Sequence, residues 1–138
     1  MSDPKTRALS KVPLFSPLSQ KELEFVASRT DEVDVPAGKR LITQGQPGDT
    51  FYVLLDGEAA VVIDDKPRRT METGDFFGEI SMLDRGPATA TVVTTTPARA
   101  MVMSHAQFRD AIKASDPLLS NVIATMAERL RRDLLDRT

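Results

Sequence analysis

The sequence predicts a mostly β fold with helices at both ends: an eight-stranded antiparallel β-roll, jelly-roll-like in pattern, with N-terminal helices and two C-terminal helices. Three observations carry it. From Asp31 to Met103, short apolar runs are broken by turn residues at close, fairly even intervals, as in closed or two-sheeted antiparallel rolls. Two capping boxes, Ser19–Glu22 and Ser104–Gln107, mark helix starts on either side of that stretch. The length of 138 residues suits one domain, and a chain of this size buries roughly two-thirds of its unfolded surface. The expected organisation is a single domain, 1–138, with a helical lead-in at 8–30, a roll at 31–103 and helices at 104–138.

In the lead-in, Leu9–Phe15 reads as a short helix or turn stopped by Pro13 and Pro17, its apolar residues packing on the main domain. The box at Ser19 then opens a helix of about ten residues with Leu23, Val26 and Ala27 on one face, and Leu18 and Leu23 form a hydrophobic staple. Within the roll, Val33 and Val35 alternate with acids, and Lys39–Thr43 follows the Pro36-Ala37-Gly38 turn. Phe51–Leu55 and Glu58–Ile63 flank Asp56-Gly57, the strongest hairpin signal in the chain. Asp64–Pro67 makes a second tight connection, Arg68–Met71 a short strand and Gly74-Asp75 another turn, while Ala90–Thr95 and Ala98–Met103 are strands hinged at Pro97. After the second box, stapled by Met103 and Phe108, Asp116-Pro117 starts a long helix with Pro at its first position. Leu119, Ile123, Met126, Leu130 and Leu134 fall on one stripe of that helix, with Glu128, Arg131, Arg132, Asp133, Asp136 and Arg137 on the flanks.

Composition removes most chemistries. There are 18 basic and 20 acidic residues, no Cys and one His. A net charge of -2 argues against a protein built mainly to hold nucleic acid. Without Cys there are no disulfides, thiol nucleophiles or zinc ribbons. With His105 alone there is no multi-histidine metal site, which also disfavours a cupin-like roll. No apolar run is long enough to span a bilayer, and the first fifteen residues hold no apolar signal core. The expectation is a cytoplasmic, non-enzymatic protein with no metal, no membrane and no nucleic-acid partner.

One stretch departs from the roll pattern, Asp75 to Val92. Glu79–Leu83 is compatible with a short helix, opened by Gly78. A helix start leaves backbone N–H groups unpaired, and such groups bind anions, phosphates especially. Ala88-Thr89-Ala90 offers small side chains that let a phosphate approach the backbone, and Thr89 adds a hydroxyl. Glu79 is an acceptor suited to a sugar hydroxyl. Each residue taken singly also has a simpler reading: Gly78 as a turn residue, Glu79 as complement to the helix start, and Thr89 as a strand residue.

The segment Phe77-Gly78-Glu79-Ile80-Ser81, the turn Gln44-Gly45-Gln46-Pro47-Gly48-Asp49, Leu55-Asp56-Gly57 and the lead-in Val12-Pro13-Leu14-Phe15 together resemble the cyclic nucleotide-binding domain. That domain occurs in the bacterial catabolite activator, the regulatory subunit of cAMP-dependent kinase and nucleotide-gated channels. The resemblance covers roughly residues 8 to 138. It implies that Phe77–Ser81 forms the phosphate-binding cassette. Backbone amides near Gly78–Ser81 and Thr89–Ala90 would hold a cyclic phosphate, and Glu79 would take the ribose 2′-hydroxyl. It also implies that the long C-terminal helix closes over the base or pairs with a second subunit.

One departure stands out. The family cassette has Gly-Glu, eight intervening residues, then Arg; in this chain that position is Ala88. A hydrogen bond to a charged group is worth about 1.5–3 kcal/mol. Weak cAMP or cGMP binding is therefore expected. Arg85, three residues earlier, either replaces the missing charge or complements the end of the short helix and Asp84. The resemblance makes Thr89 a residue whose hydroxyl can favour cGMP.

The function expected is a stand-alone regulatory sensor of cAMP or cGMP, needing no cofactor and signalling to a protein partner in trans. The alternative is a degenerate module kept for ligand-independent dimerisation or protein docking, with a homodimer through the C-terminal helix. DNA binding would need a helix-turn-helix beyond Thr138, which this sequence does not hold.

Overall fold

The computed structural model describes residues 3–136. Helix α1 (Pro4–Ser10) begins earlier than the sequence pattern suggests. Asp3 caps it, accepting from the Thr6 amide at 2.7 Å, and Pro4 takes the first helical position, where a missing N–H costs nothing. Residues 11–17, which include most of the stretch read as helix or turn, are turns. Helix α2 (Gln20–Ser28) carries the predicted box, with both Ser19 and Glu22 side chains bonded across the first turn. Leu9, Val12, Leu14, Phe15, Leu18, Leu23 and Val26 are all buried, so the lead-in packs on the main body as expected.

Eight strands follow: β1 (Asp31–Val35), β2 (Arg40–Ile42), β3 (Thr50–Asp56), β4 (Ala59–Ile63), β5 (Lys66–Met71), β6 (Phe76–Phe77), β7 (Thr91–Thr94) and β8 (Ala98–Ser104). They form two four-stranded sheets, ordered β1-β8-β3-β6 and β2-β7-β4-β5, with every pair antiparallel. This is the predicted roll. A cluster of Leu54, Ala59, Val61, Met71, Phe77, Val92 and Ala98 fills the space between strands of the two sheets. A larger cluster joins the outer face of the first sheet to the helices, where Phe51 lies between Phe76 and Phe108 at ring-centre distances of 5.6 and 4.8 Å.

The strongest hairpin signal does not make a hairpin. Strand β3 already has β8 and β6 on its two edges, so at Asp56-Gly57 the chain leaves one sheet and β4 joins the other. Gly57 has φ 101°, and a Cβ there would lie 2.8 Å from the Pro97 carbonyl oxygen, so the crossing requires glycine. The hairpin that does form is β4–β5, closed by Asp64 and Asp65 at φ 53° and 63°. Positive φ at both loop positions is the I′ geometry that matches strand twist. Gln44 holds that turn from both sides, donating to the Asp64 carboxylate at 3.0 Å and accepting from its amide at 2.9 Å.

Between β6 and β7 lies α3 (Glu79–Asp84), and after β8 come α4 (His105–Ala114) and α5 (Asp116–Asp136). The Ser104–Gln107 box caps α4 as predicted, and Ser115 accepts from the Leu118 amide at the start of α5. The stripe read on α5, widened by Val122 and Ala127, is only in part its packing face: Met126 packs on the core. Leu118 and Val122 are buried, whereas Ile123, Leu130 and Leu134 are more than half exposed. Arg137, placed on a flank of that helix, lies outside the described residues. Among the described residues no helix is long and apolar enough to cross a membrane.

Candidate functional site

Gly78 fixes where α3 starts. Its φ is 90°, and a Cβ would lie 2.5 Å from the Thr50 carbonyl oxygen, so only glycine lets the chain turn this close to β3. The turn directs α3 along the mouth of a cavity of about 810 Å³. Strands β2, β4, β5 and β7 line one side, α3 and residues 88–90 another, and the second half of α5 covers it. The walls are mostly apolar, with Leu41, Val61, Met71, Phe77, Val92 and Met126 among them. Tyr52 stacks on Phe77, ring centres 5.0 Å apart, and donates to the Leu41 carbonyl at 3.2 Å. Burial pushes its phenol above the usual value.

Phe77, Gly78, Glu79, Ile80, Ser81, Ala88, Thr89 and Ala90 all line this one cavity. Ala88 is tied to the β2–β3 loop: the Gly45 amide donates to its carbonyl and its own amide donates to Gln46, both at 2.9 Å. Its amide is therefore occupied. Arg85 is not among the lining residues. It is exposed, adopts φ 59° at the end of α3, and its amide donates to the Ser81 carbonyl at 3.0 Å. Arg85 thus terminates α3 through its backbone, outside the cavity lining.

Two cavity residues escaped the sequence reading. Arg129 of α5 donates from Nη1 to the Glu79 carboxylate and from Nη2 to the Phe76 carbonyl, both at 2.5 Å, and its guanidinium lies 4.6 Å over the Phe76 ring. Glu79 is only 5% exposed. The predicted hydroxyl acceptor is therefore already partnered on one oxygen, although a carboxylate retains lone pairs for a second donor. The signal was in the helix period: Arg129 continues the face of Leu118 and Val122, where a cation demands a buried partner. Arg69 of β5 is the other. Its Nη1 lies 3.6 Å from Asp133 of α5, while its Nε is buried with no partner among the described residues. Desolvation first, and the neighbouring Arg129 second, lower its pKa. No group of His, Asp or Glu suited to a metal ion occurs among the described residues.

Comparison with known proteins agrees with this geometry. Residues 32–115 match the cyclic nucleotide-binding domain family. Over 103 residues the chain is 38% identical to a cAMP-dependent protein kinase regulatory subunit of Aspergillus fumigatus, covering 73% of this chain and 25% of that one. The chain thus spans about a quarter of the length of such relatives. The catabolite activator protein of Thermus thermophilus superposes with a TM-score of 0.82 at 25% identity, covering 90% of this chain and 61% of that one. The regulatory subunit of a cAMP-independent protein kinase A from Trypanosoma brucei has the same fold, with a TM-score of 0.83 at 21% identity over 96% of this chain and 48% of that one. On its fold, its cassette and these relationships, the chain belongs to the cyclic nucleotide-binding domain family.

Proposed function

We propose that this domain is a non-enzymatic regulatory sensor that binds cAMP or cGMP weakly and passes the signal to a protein partner in trans. The observation that carries the reading is the convergence of the whole cassette, Phe77–Ser81 with Ala88–Ala90, on one apolar cavity roofed by α5. The cyclic phosphate sits against Gly78–Ser81 and Thr89–Ala90, where small side chains admit it and unpaired amides at the start of α3 face it. The ribose hydroxyl donates to Glu79, whose carboxylate Arg129 holds in place. The purine fills the apolar remainder under α5.

Weakness follows from Ala88. A phosphate charge without the family cassette's own arginine forgoes about 1.5–3 kcal/mol, roughly ten- to a hundred-fold in affinity. Calorimetric titration with cAMP and cGMP is the test. Wild type binds weakly, Ala88→Arg binds at least tenfold tighter, and Arg85→Ala changes nothing.

The ion pair between Glu79 and Arg129 favours a second reading. A cassette that engages its own lid helix without ligand could serve as a ligand-independent docking or dimerisation module. If neither nucleotide binds wild type and Ala88→Arg recovers no binding, this second reading replaces the first.

A further inference from the structure

The single histidine of the chain stands in a coupling position. His105 is the first residue of α4, and its Nε2 lies 3.1 Å from the carbonyl oxygen of Gly48. A carbonyl only accepts, so Nε2 carries the hydrogen and donates it. In the neutral ring Nδ1 is then a lone pair, and this atom is buried without a partner among the described residues. The ring is thus held by one bond, to one residue, across 57 positions of sequence.

That residue is not an ordinary loop position. A Cβ on Gly48 would collide with the side chain of Ser81, so the Gly48 backbone rests directly on the cassette helix. The same loop is bonded to the other half of the cassette. Gly45 and Gln46 exchange two backbone hydrogen bonds with Ala88, each 2.9 Å, and Pro47 bridges to Pro87. The loop 44–49 therefore touches both walls expected to meet the phosphate, and α4 holds the loop through His105.

We infer that His105 is a positioning residue for the ligand cavity: its Nε2–H fixes the Gly48 carbonyl, and through that loop sets Ser81 and Ala88 relative to α4. The inference deepens the cyclic-nucleotide reading and rests on it for the ligand. Linkage makes the coupling reciprocal, so a ligand that seats α3 and residue 88 also firms the first turn of α4.

The test uses the whole chain with cAMP and cGMP as probes. Ring nitrogen shifts of free wild type should report the Nε2–H tautomer. His105→Ala should move the amide resonances of Gly48, Ser81 and Ala88 and weaken nucleotide binding by about three- to tenfold, the scale of one net hydrogen bond. His105→Gln, whose side-chain amide can donate to the same carbonyl, should restore both. An Nδ1–H tautomer, unmoved Ser81 and Ala88 amides in the alanine variant, or a glutamine variant no better than alanine each overturns the assignment. The tautomer and the amide shifts are read without ligand. A complete failure of nucleotide binding would thus end the cyclic-nucleotide reading while these two measurements still decide the role of His105.

Discussion

Arg129 makes three contacts at once, to the carboxylate of Glu79, the carbonyl of Phe76 and the face of its ring. Both members of the ion pair are nearly out of solvent, with side-chain exposures of 14% and 7%. Removing one partner from such a pair leaves a stranded charge and costs about 3–5 kcal/mol, whereas removing both is far milder. Arg129→Met and Glu79→Gln should each lower the melting temperature clearly, while the double variant loses much less than the sum. Thermal unfolding of the four proteins checks this, and additive losses would show the pair to be uncoupled. At this scale the sequence was legible wherever a residue announced its own chemistry. Gly78 and Glu79 could be read because they interrupt the roll pattern, whereas the departure at Ala88 was visible only through the resemblance to the family cassette. Arg129 and Arg69 could not be paired with their partners, because Glu79 lies 50 residues from Arg129 and nothing local in β5 points to α5.

Helices in this chain are set by their first turns. At α2 the Glu22 side chain accepts from the Ser19 amide at 2.9 Å, while Ser19 accepts from Glu22 at 3.1 Å. The Ser19 amide, first among several hydrogen bonds, holds the Glu22 carboxyl below its ordinary value of 4.5. A depressed folded-state pKa means a contribution complete above that ordinary value and lost as pH falls through the lower folded one. Glu22→Gln keeps an acceptor but not the charge. Wild type should therefore be the more stable at pH 7, with the difference shrinking towards zero near pH 3; melting curves at the two pH values check it, and a constant difference would contradict it. Both capping boxes were readable because capping is local chemistry, complete within four residues; α5 starts one residue earlier than expected, at Asp116, with the Ser115 hydroxyl accepting from the Leu118 amide. The Asp56-Gly57 turn was misread for the complementary reason. A turn signal states that the chain reverses, not which sheet receives it, and β3 already has a partner on each edge.

The second half of α5 leaves the body of the molecule with an unusual surface. Ile123, Leu130, Leu134 and Leu135 are 54%, 61%, 55% and 67% exposed, apolar side chains of which Ile123 and Leu130 also line the cavity. Exposed apolar groups of this kind mark interaction surfaces. The expected occupant is a second copy of the chain, pairing helix against helix about a two-fold axis. Mass in solution should correspond to a dimer for wild type and to a monomer for Leu130→Glu; identical masses would remove α5 as the interface. The stripe was visible in the sequence, but periodicity reports only that a face is apolar. What covers that face depends on where the rest of the chain ends up.

The pairing of β1 with β8 joins Asp31 to Val102 and Val35 to Ala98, so the first strand of the roll depends on the last. A nascent chain emerging in order holds β1 without its neighbour until residue 104 has been made. Contacts so far apart in sequence must bear the entropy of closing the whole intervening loop before they return anything. The first sheet therefore closes only when β8 arrives, because β8 is the strand that joins β1 to β3.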